Sequence, residues 1–207
     1  MSKTTLKPGT MLNPVPVIMA SCGNEKEKNI ITIAWTGILN SEPPMTYIAV
    51  RKSRHSHAII KETGEYVINL VNEKLTKQCD FCGVKSGSKV DKWAETGLTP
   101  VYGDIVKAPM IEESPVNLEC KVVDVHEYPT HDVFVGEIVS VHVDDELING
   151  SGKVCLEKAN LVAYNHGMYM PLSGKVLGTF GYSVMKPKTA KKRAAARRNA
   201  SRMKNKR

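Results

Sequence analysis

No stretch of this 207-residue sequence is apolar for long enough to form a membrane-spanning helix. Such a helix needs about 20 residues, and the longest apolar runs, such as residues 30–35, fall far short of that. The opening Met1-Ser2-Lys3-Thr4-Thr5-Leu6 lacks the apolar core of a secretory signal. Cysteine is sparse and odd in number, five residues at positions 22, 79, 82, 120 and 155, which argues against a disulfide framework and for a reduced, cytoplasmic compartment. Neither G-x-x-x-x-G-K-[ST] nor G-x-G-x-x-G occurs, so a P-loop and a Rossmann dinucleotide site lose their sequence support. Acidic residues are missing altogether from positions 186–207, which hold 11 of the 29 Lys and Arg residues. The net charge of +8 is therefore a property of the tail, and residues 1–185 carry a net charge of −3. Two parts are expected: one domain over residues 1–185 and a basic, disordered tail over 186–207.

What is present reads mostly as strand. Val116, Leu118, Cys120 and Val122 alternate with polar residues, and Val133, Val135, Val139, Val141 and Val143 share one parity, interrupted by Glu137. Residues 15–20, 30–35, 47–50 and 66–71 are short, rich in β-branched side chains and bounded by Gly, Pro, Asn or Ser. Helices are few. Residues 53–63 suit one, with Ser53 as N-cap and Gly64 just beyond its end. A second starts at Asn72 or Thr76 and runs toward Phe81, and one turn covers 90–95, closed by Gly97. Six or more strands with two or three inserted helices predict a mainly β barrel or sandwich.

Four segments carry candidate chemistry. Arg51-Lys52-Ser53-Arg54-His55-Ser56-His57 joins a predicted strand to a predicted helix, and cations, hydroxyls and helix N–H groups together suit an anion such as phosphate; a solvated basic turn has the same composition. Asn29-Ile30-Ile31-Thr32-Ile33-Ala34-Trp35-Thr36-Gly37 offers main-chain groups beside a Trp to a planar ring, or is a core strand. Cys79-Asp80-Phe81-Cys82 has redox-pair spacing but no βαβ context, and no second metal-ligand pair follows it. His166-Gly167-Met168-Tyr169 adds a histidine with no partner in its neighbourhood.

Taken in order, these segments resemble one family. Asn13-Pro14-Val15-Pro16-Val17, the 29–35 run with Ser41-Glu42-Pro43-Pro44, Arg51 through Ser56, and Thr63-Gly64-Glu65-Tyr66-Val67-Ile68-Asn69 follow one another as they do there. Cys82-Gly83, Ser86-Gly87, Asp91-Lys92-Trp93, Gly97-Leu98-Thr99, Leu118-Glu119-Cys120 and the segment from His131 to Gly136-Glu137 complete the series. It is the flavin reductase-like, FMN-binding split-barrel family, in its flavoredoxin branch, and the match spans roughly residues 11–182.

The resemblance implies a six-stranded split β-barrel that forms a homodimer with FMN near the interface. It also implies an oxidoreductase that passes electrons from NADH or NADPH through FMN to an unidentified acceptor, a redox partner protein among the options. An FMN-binding electron carrier without NAD(P)H activity is the alternative. By position, Arg51, Ser53, His55 and Ser56 would take the phosphate. Thr32, Ala34, Trp35 and Thr36, within the segment that opens with Asn29 and closes with Ser41, would line the isoalloxazine. Ser86, Asp91 and Lys92 would close over it, Cys82 would pack beside it, and His166 and Tyr169 are further carry-overs. Hydride passes directly between rings, so no catalytic acid or base is expected, and no metal. The tail has no counterpart in the family: a solvated, inert extension is the first reading, ahead of binding to nucleic acid or an anionic surface and of docking an acidic redox partner.

Overall fold

In the computed structural model, which describes residues 1–187 and 189, the β-branched runs become strands. In chain order these are β1 (Val15–Pro16), β2 (Ile18–Gly23), β3 (Lys28–Ile33), β4 (Thr36–Ser41), β5 (Pro44–Arg51) and β6 (Glu65–Leu70). There follow β7 (Pro100–Val101), β8 (Met110–Ile111), β9 (Val116–Glu127), β10 (His131–Val143), β11 (Val162–Asn165) and β12 (Met168–Pro171). Among the described residues three α-helices are inserted: α1 (His55–Thr63), α2 (Thr76–Val84) and α3 (Lys92–Thr96). The chain divides into two compact units, Met1–Ser173 and Gly174–Arg207, and all the strands lie in the first. The described part of the second contains one 3₁₀ turn, Tyr182–Val184. Among the described residues no helix is long and apolar enough to cross a membrane. The basic-tail reading falls almost wholly outside the described residues.

Seven strands form one antiparallel sheet in the order β3-β2-β6-β9-β10-β5-β4. Only Ala34 and Trp35 separate β3 from β4, and the Ala49 N–H already reaches the Trp35 carbonyl at 2.9 Å. One bent strand thus leaves β2 at one edge and joins β5 at the other. Counted so, six strands close on themselves as a split barrel, the mainly β architecture that the resemblance implies. A second, three-stranded sheet, β1-β11-β12, lies beside it with Val15 opposite Tyr164.

Burial on both faces explains why β2 and β3 read as near-continuous apolar runs instead of alternating ones. Ile18, Ala20, Ile31 and Ile33 pack inside the barrel with Ile48, Ile60, Tyr66 and Phe134. Met19 and Ile30 point the other way, into a second cluster with Leu75, Cys79, Cys82 and Trp93 of the α2–α3 region. Each such fully buried aliphatic side chain contributes about 1.5–3 kcal/mol by leaving water.

Local details depart from expectation in three places. Helix α1 begins at His55 with Arg54, not Ser53, as N-cap, because the Arg54 N–H closes a turn onto the Arg51 carbonyl. Its end is as expected, with Gly64 in the left-handed region at φ 66°. Helix α3 starts two residues later than the expected turn, because Asp91 caps it, its Oδ1 accepting from the Trp93 and Ala94 amides. The valines of β10 do not share one face. A bulge between Ile138 and Ser140 shifts the register, so Val139 packs with Val67 and Val106 while Val141 stands exposed. The residue of β10 that fills the barrel is Phe134, on the opposite parity. Beside it Gly136 is required by close approach, since a Cβ there would collide with the Tyr66 hydroxyl.

One buried carboxylate ties a loop to the barrel. Glu119, at 0% exposure, accepts hydrogen bonds from the Ile105 and Val106 amides at 3.1 and 2.7 Å, and His142 Nε2 lies 2.6 Å away. Glu119→Ala leaves these donors without their acceptor, and urea unfolding is expected to give a loss of about 3 kcal/mol.

Candidate functional site

The bend between β3 and β4 opens onto a cleft of about 1130 Å³. Four pieces of chain surround it. Residues 31–36 form one side through the bend itself, with Tyr47 and Ala49 of β5 beside them. Residues 9–17 pass along it as a strap. The β11–β12 hairpin contributes Tyr164, His166, Gly167 and Tyr169, and Arg51, Arg54, His131 and Gly83 of α2 complete it. Among the described residues no carboxylate lines this space, whereas two arginines and two histidines do.

The side chains at the bend are held before any ligand arrives. Thr32 Oγ1 donates to the Cys79 carbonyl, and Thr36 Oγ1 donates to the Tyr47 carbonyl at 2.6 Å. Ala34 is small and lets another group approach the backbone. Trp35 stands 44% exposed at the rim, its ring centroid 4.6 Å from that of His131 and tilted by 45°. Burial first, and then the nearby Arg51 guanidinium, hold His131 below the usual histidine range, so it is neutral at pH 7. On the hairpin, the Tyr164 and Tyr169 rings meet edge to face at 5.6 Å. The Tyr169 hydroxyl donates to Asp80 at 3.1 Å, and the His166 amide donates to Asn13 Oδ1 at 3.2 Å, joining hairpin to strap.

The basic segment 51–57 is sorted by its neighbours. Lys52 turns to Asp132, with Nζ 3.2 Å from Oδ1, and His55 lies 3.6 Å from Glu27. Arg51 and Arg54 are left facing the cleft. Arg54 is the N-cap of α1, no side chain caps that helix and its first turn holds no acid, so the positive end of its dipole stands unopposed beside the Arg54 backbone.

Of the site residues singled out in the sequence, Thr32, Ala34, Trp35, Thr36, Arg51, His166 and Tyr169 line the cleft. The others do not. Ser53 and His55 lie on the turn, Ser53 exposed and His55 part-buried. Ser56 is buried beneath the turn, where its Oγ accepts from Asn29 Nδ2 at 2.8 Å. Ser41 sits at the far end of β4, paired with Pro44. Ser86 bonds to Ser88 at 2.9 Å, and Asp91 caps α3. Lys92, expected to close over the ring, is only 3% exposed, with Nζ 2.7 Å from both the Ile30 and the Cys82 carbonyls; it fastens α2 to β3 behind the cleft. Burial, aided by Arg54, lowers its affinity for a proton. Cys79 and Cys82 are both buried, which pushes their thiols up to about 12 and about 11, so neither is a thiolate at neutral pH.

Arg54, His131, Tyr164 and the strap were missed. Arg54 was readable from the same basic turn once its cap position was known, and His131 from its register opposite Arg51. The strap holds the Asn13 to Val17 motif, but its place along the cleft was not legible, because it depends on Asn13 meeting a hairpin 153 positions later.

A family model described as flavin reductase like domain matches residues 9–173, a span that holds every strand and the whole cleft. The chain belongs to the flavin reductase-like family. It is 37% identical over 139 residues to an uncharacterised protein of Archaeoglobus fulgidus, covering 67% of this chain and 78% of that one. It is 28% identical over 108 residues to the reductase component of a 4-nitrophenol 4-monooxygenase/4-nitrocatechol 2-monooxygenase of Rhodococcus opacus, covering 52% of this chain and 55% of that one. Among solved structures, flavoredoxin of Desulfovibrio vulgaris (Miyazaki F) superposes with a TM-score of 0.81 at 29% identity, over 88% of this chain and 100% of that one. Flavoredoxin from Methanosarcina acetivorans gives 0.80 at 29%, over 89% and 100%.

Two buried carboxylates give this flavin reductase-like chain a predictable acid limit. Burial pushes the Asp132 carboxyl up, but the His57 hydrogen bond and the Lys52 ammonium outweigh it and hold the group below its ordinary range. Glu119 is held down against burial in the same way, by His142 and the Val106 and Ile105 amides. A carboxyl lowered in the folded state stabilises in full above its unfolded pKa and loses that contribution as pH falls through the folded one. Urea midpoints are therefore expected to show no loss from these two groups between neutrality and about pH 5 and to drop below about pH 4. In Asp132→Asn that acid drop is expected to be smaller.

Proposed function

We propose that this protein is an FMN-dependent oxidoreductase of flavoredoxin type, taking electrons from NADH or NADPH and passing them to a further acceptor. The observation that carries the reading is the lining of the cleft: among the described residues Arg51 and Arg54 bring two guanidiniums to it and no carboxylate opposes them, while residues 31–36 with Tyr47, Tyr164 and Tyr169 offer main chain and aromatic surface. That is the chemistry of a ligand with a flat ring system and one anionic group. Bound there, FMN would supply the redox chemistry, accepting and releasing hydride at its ring.

The chain's own residues bind and orient. Arg51 and Arg54 with the α1 amides would hold the phosphate, and Lys52 is engaged by Asp132. Residues 31–36 would lie along the ring system, where Ala34 admits close backbone contact and Thr32 and Thr36, held by their own hydrogen bonds, keep the wall rigid. Trp35 and His131 would shield one rim from water, and Tyr164 and Tyr169 the hairpin side. No residue is required as acid or base for hydride passage. A homodimer is part of the proposal. It is supported by the outer edge of β4, which ends the sheet and exposes Ile38 and Leu39 beside the cleft rim. A reducing, cytoplasmic setting is supported by five free, buried cysteines.

Anaerobic titration of the FMN-loaded protein with NADH and then NADPH is expected to bleach the flavin band with at least one of them. Bleaching by dithionite alone would instead assign an electron carrier with no nicotinamide activity. Arg51→Ala with Arg54→Ala is expected to weaken FMN about 100-fold, at about 1–2 kcal/mol per charged contact, and riboflavin little. Equal losses for both ligands would remove the phosphate role.

A further inference from the structure

The geometry points to Asp132 as the positioning residue that sets the basic turn for its anion, an inference that rests on the FMN reading above. Asp132 is 1% exposed; its Oδ2 is hydrogen-bonded with His57 Nε2 at 2.7 Å, and its Oδ1, with no hydrogen-bond partner, pairs electrostatically with the Lys52 ammonium 3.2 Å away. Those two residues bracket Arg54, one inside the turn and one in the first turn of α1. Beside these contacts the turn is tied by Ser56 Oγ, which accepts from Asn29 Nδ2 at 2.8 Å, and by His55, 3.6 Å from Glu27. The Arg54 amide bonds to the Arg51 carbonyl and the His57 amide to the Arg54 carbonyl, both at 2.9 Å, and no side chain caps the helix. His57 is further fixed edge-on against Phe134, at 5.3 Å between ring centroids. Neighbours on a strand point to opposite faces, so His131 faces the cleft while Asp132, next to it on β10, grips the turn from behind.

Simple electrostatics gives the opposite expectation. A buried carboxylate near an anion site repels the anion, and it also engages Lys52, a cation that would otherwise be available. On charge alone, removing Asp132 strengthens anion binding. If Asp132 positions the turn, removing it frees Lys52 and His57 together, the α1 amides and Arg54 lose their fixed aim, and binding weakens. Glu127 and Lys61 share the outer end of this network, with Lys52 and Lys61 at 3.7 and 3.6 Å from Glu127, but both are largely exposed and contribute little.

The test compares FMN and riboflavin affinities, by flavin fluorescence quenching, in the full chain and in Asp132→Asn. FMN is expected to weaken about tenfold, with riboflavin unchanged within about twofold, since only FMN carries the phosphate that the turn would meet. Tighter FMN binding would mean that Asp132 acts as a like charge only, and equal losses for both flavins would mean that it supports the fold only; either overturns the inference. Lys52→Met, which removes the ammonium of a side chain 44% exposed, provides the second variant. A smaller FMN-specific loss is expected, with the double variant no weaker than Asp132→Asn alone, because the two residues act through one contact. Additive losses would make Lys52 a direct phosphate ligand and overturn the positioning role. A wild-type protein that binds FMN and riboflavin alike overturns the phosphate assignment and this inference together. A wild-type preference for FMN kept intact by Asp132→Asn overturns the inference alone.

Discussion

Everything at the cleft depends on one strand that changes partners. By leaving β2 and joining β5 at Ala34 and Trp35, the β3–β4 strand closes the barrel and at the same time exposes a short length of backbone that neither neighbour fully covers. Buried backbone polar groups are nearly always paired, and an interrupted ladder is an energetic liability unless something else uses it. The bend at residues 34–35 is thus both the joint that completes the core and the wall along which a flat ligand can lie. The inner clusters stiffen it from both faces, with Ile31 and Ile33 on the barrel side and Ile30 against α2 and α3.

Charge is handled on the same scheme. The segment 51–57 carries more cations than one anion needs, and the structure divides them. Lys52 is drawn to Asp132 and His55 to Glu27, while Arg51 and Arg54 are left toward the cleft. Selectivity between a phosphorylated and an unphosphorylated flavin would then depend less on how many positive charges are nearby than on which are free and how they are aimed. Lys92 is a similar case, since its ammonium is taken up by two carbonyls in a structural joint before any ligand could use it.

Much of the fold was legible because burial is recorded in residue type. Continuous β-branched runs marked β2, β3 and β6, and the alternation of Val116 to Val122 marked β9. The valine stripe of β10 misled because a bulge shifts parity without any residue announcing it. At the site, the segments were legible and the directions of their side chains were not. Thr32, Trp35 and Arg51 line the cleft, as the order of motifs implied, but whether a lysine faces a ligand or a carbonyl is decided by tertiary contacts such as that of Lys92 with Ile30, 62 positions away. Arg54 escaped notice for a smaller reason, a helix start displaced by one residue through a hydrogen bond within the turn.

The order of strands in the sheet bears on how the site comes into being. Arg51 reaches its place only when β5 pairs with β10, some eighty positions downstream, and the strap at Asn13 only when the β11–β12 hairpin is made. Such distant pairings form slowly and late, after the entropy of closing long loops has been overcome. No local fragment of the chain contains the cleft, so a ligand taken up there recognises the finished barrel and stabilises it against every partly folded alternative. A flavin bound there would add its binding free energy to the stability of the finished barrel alone.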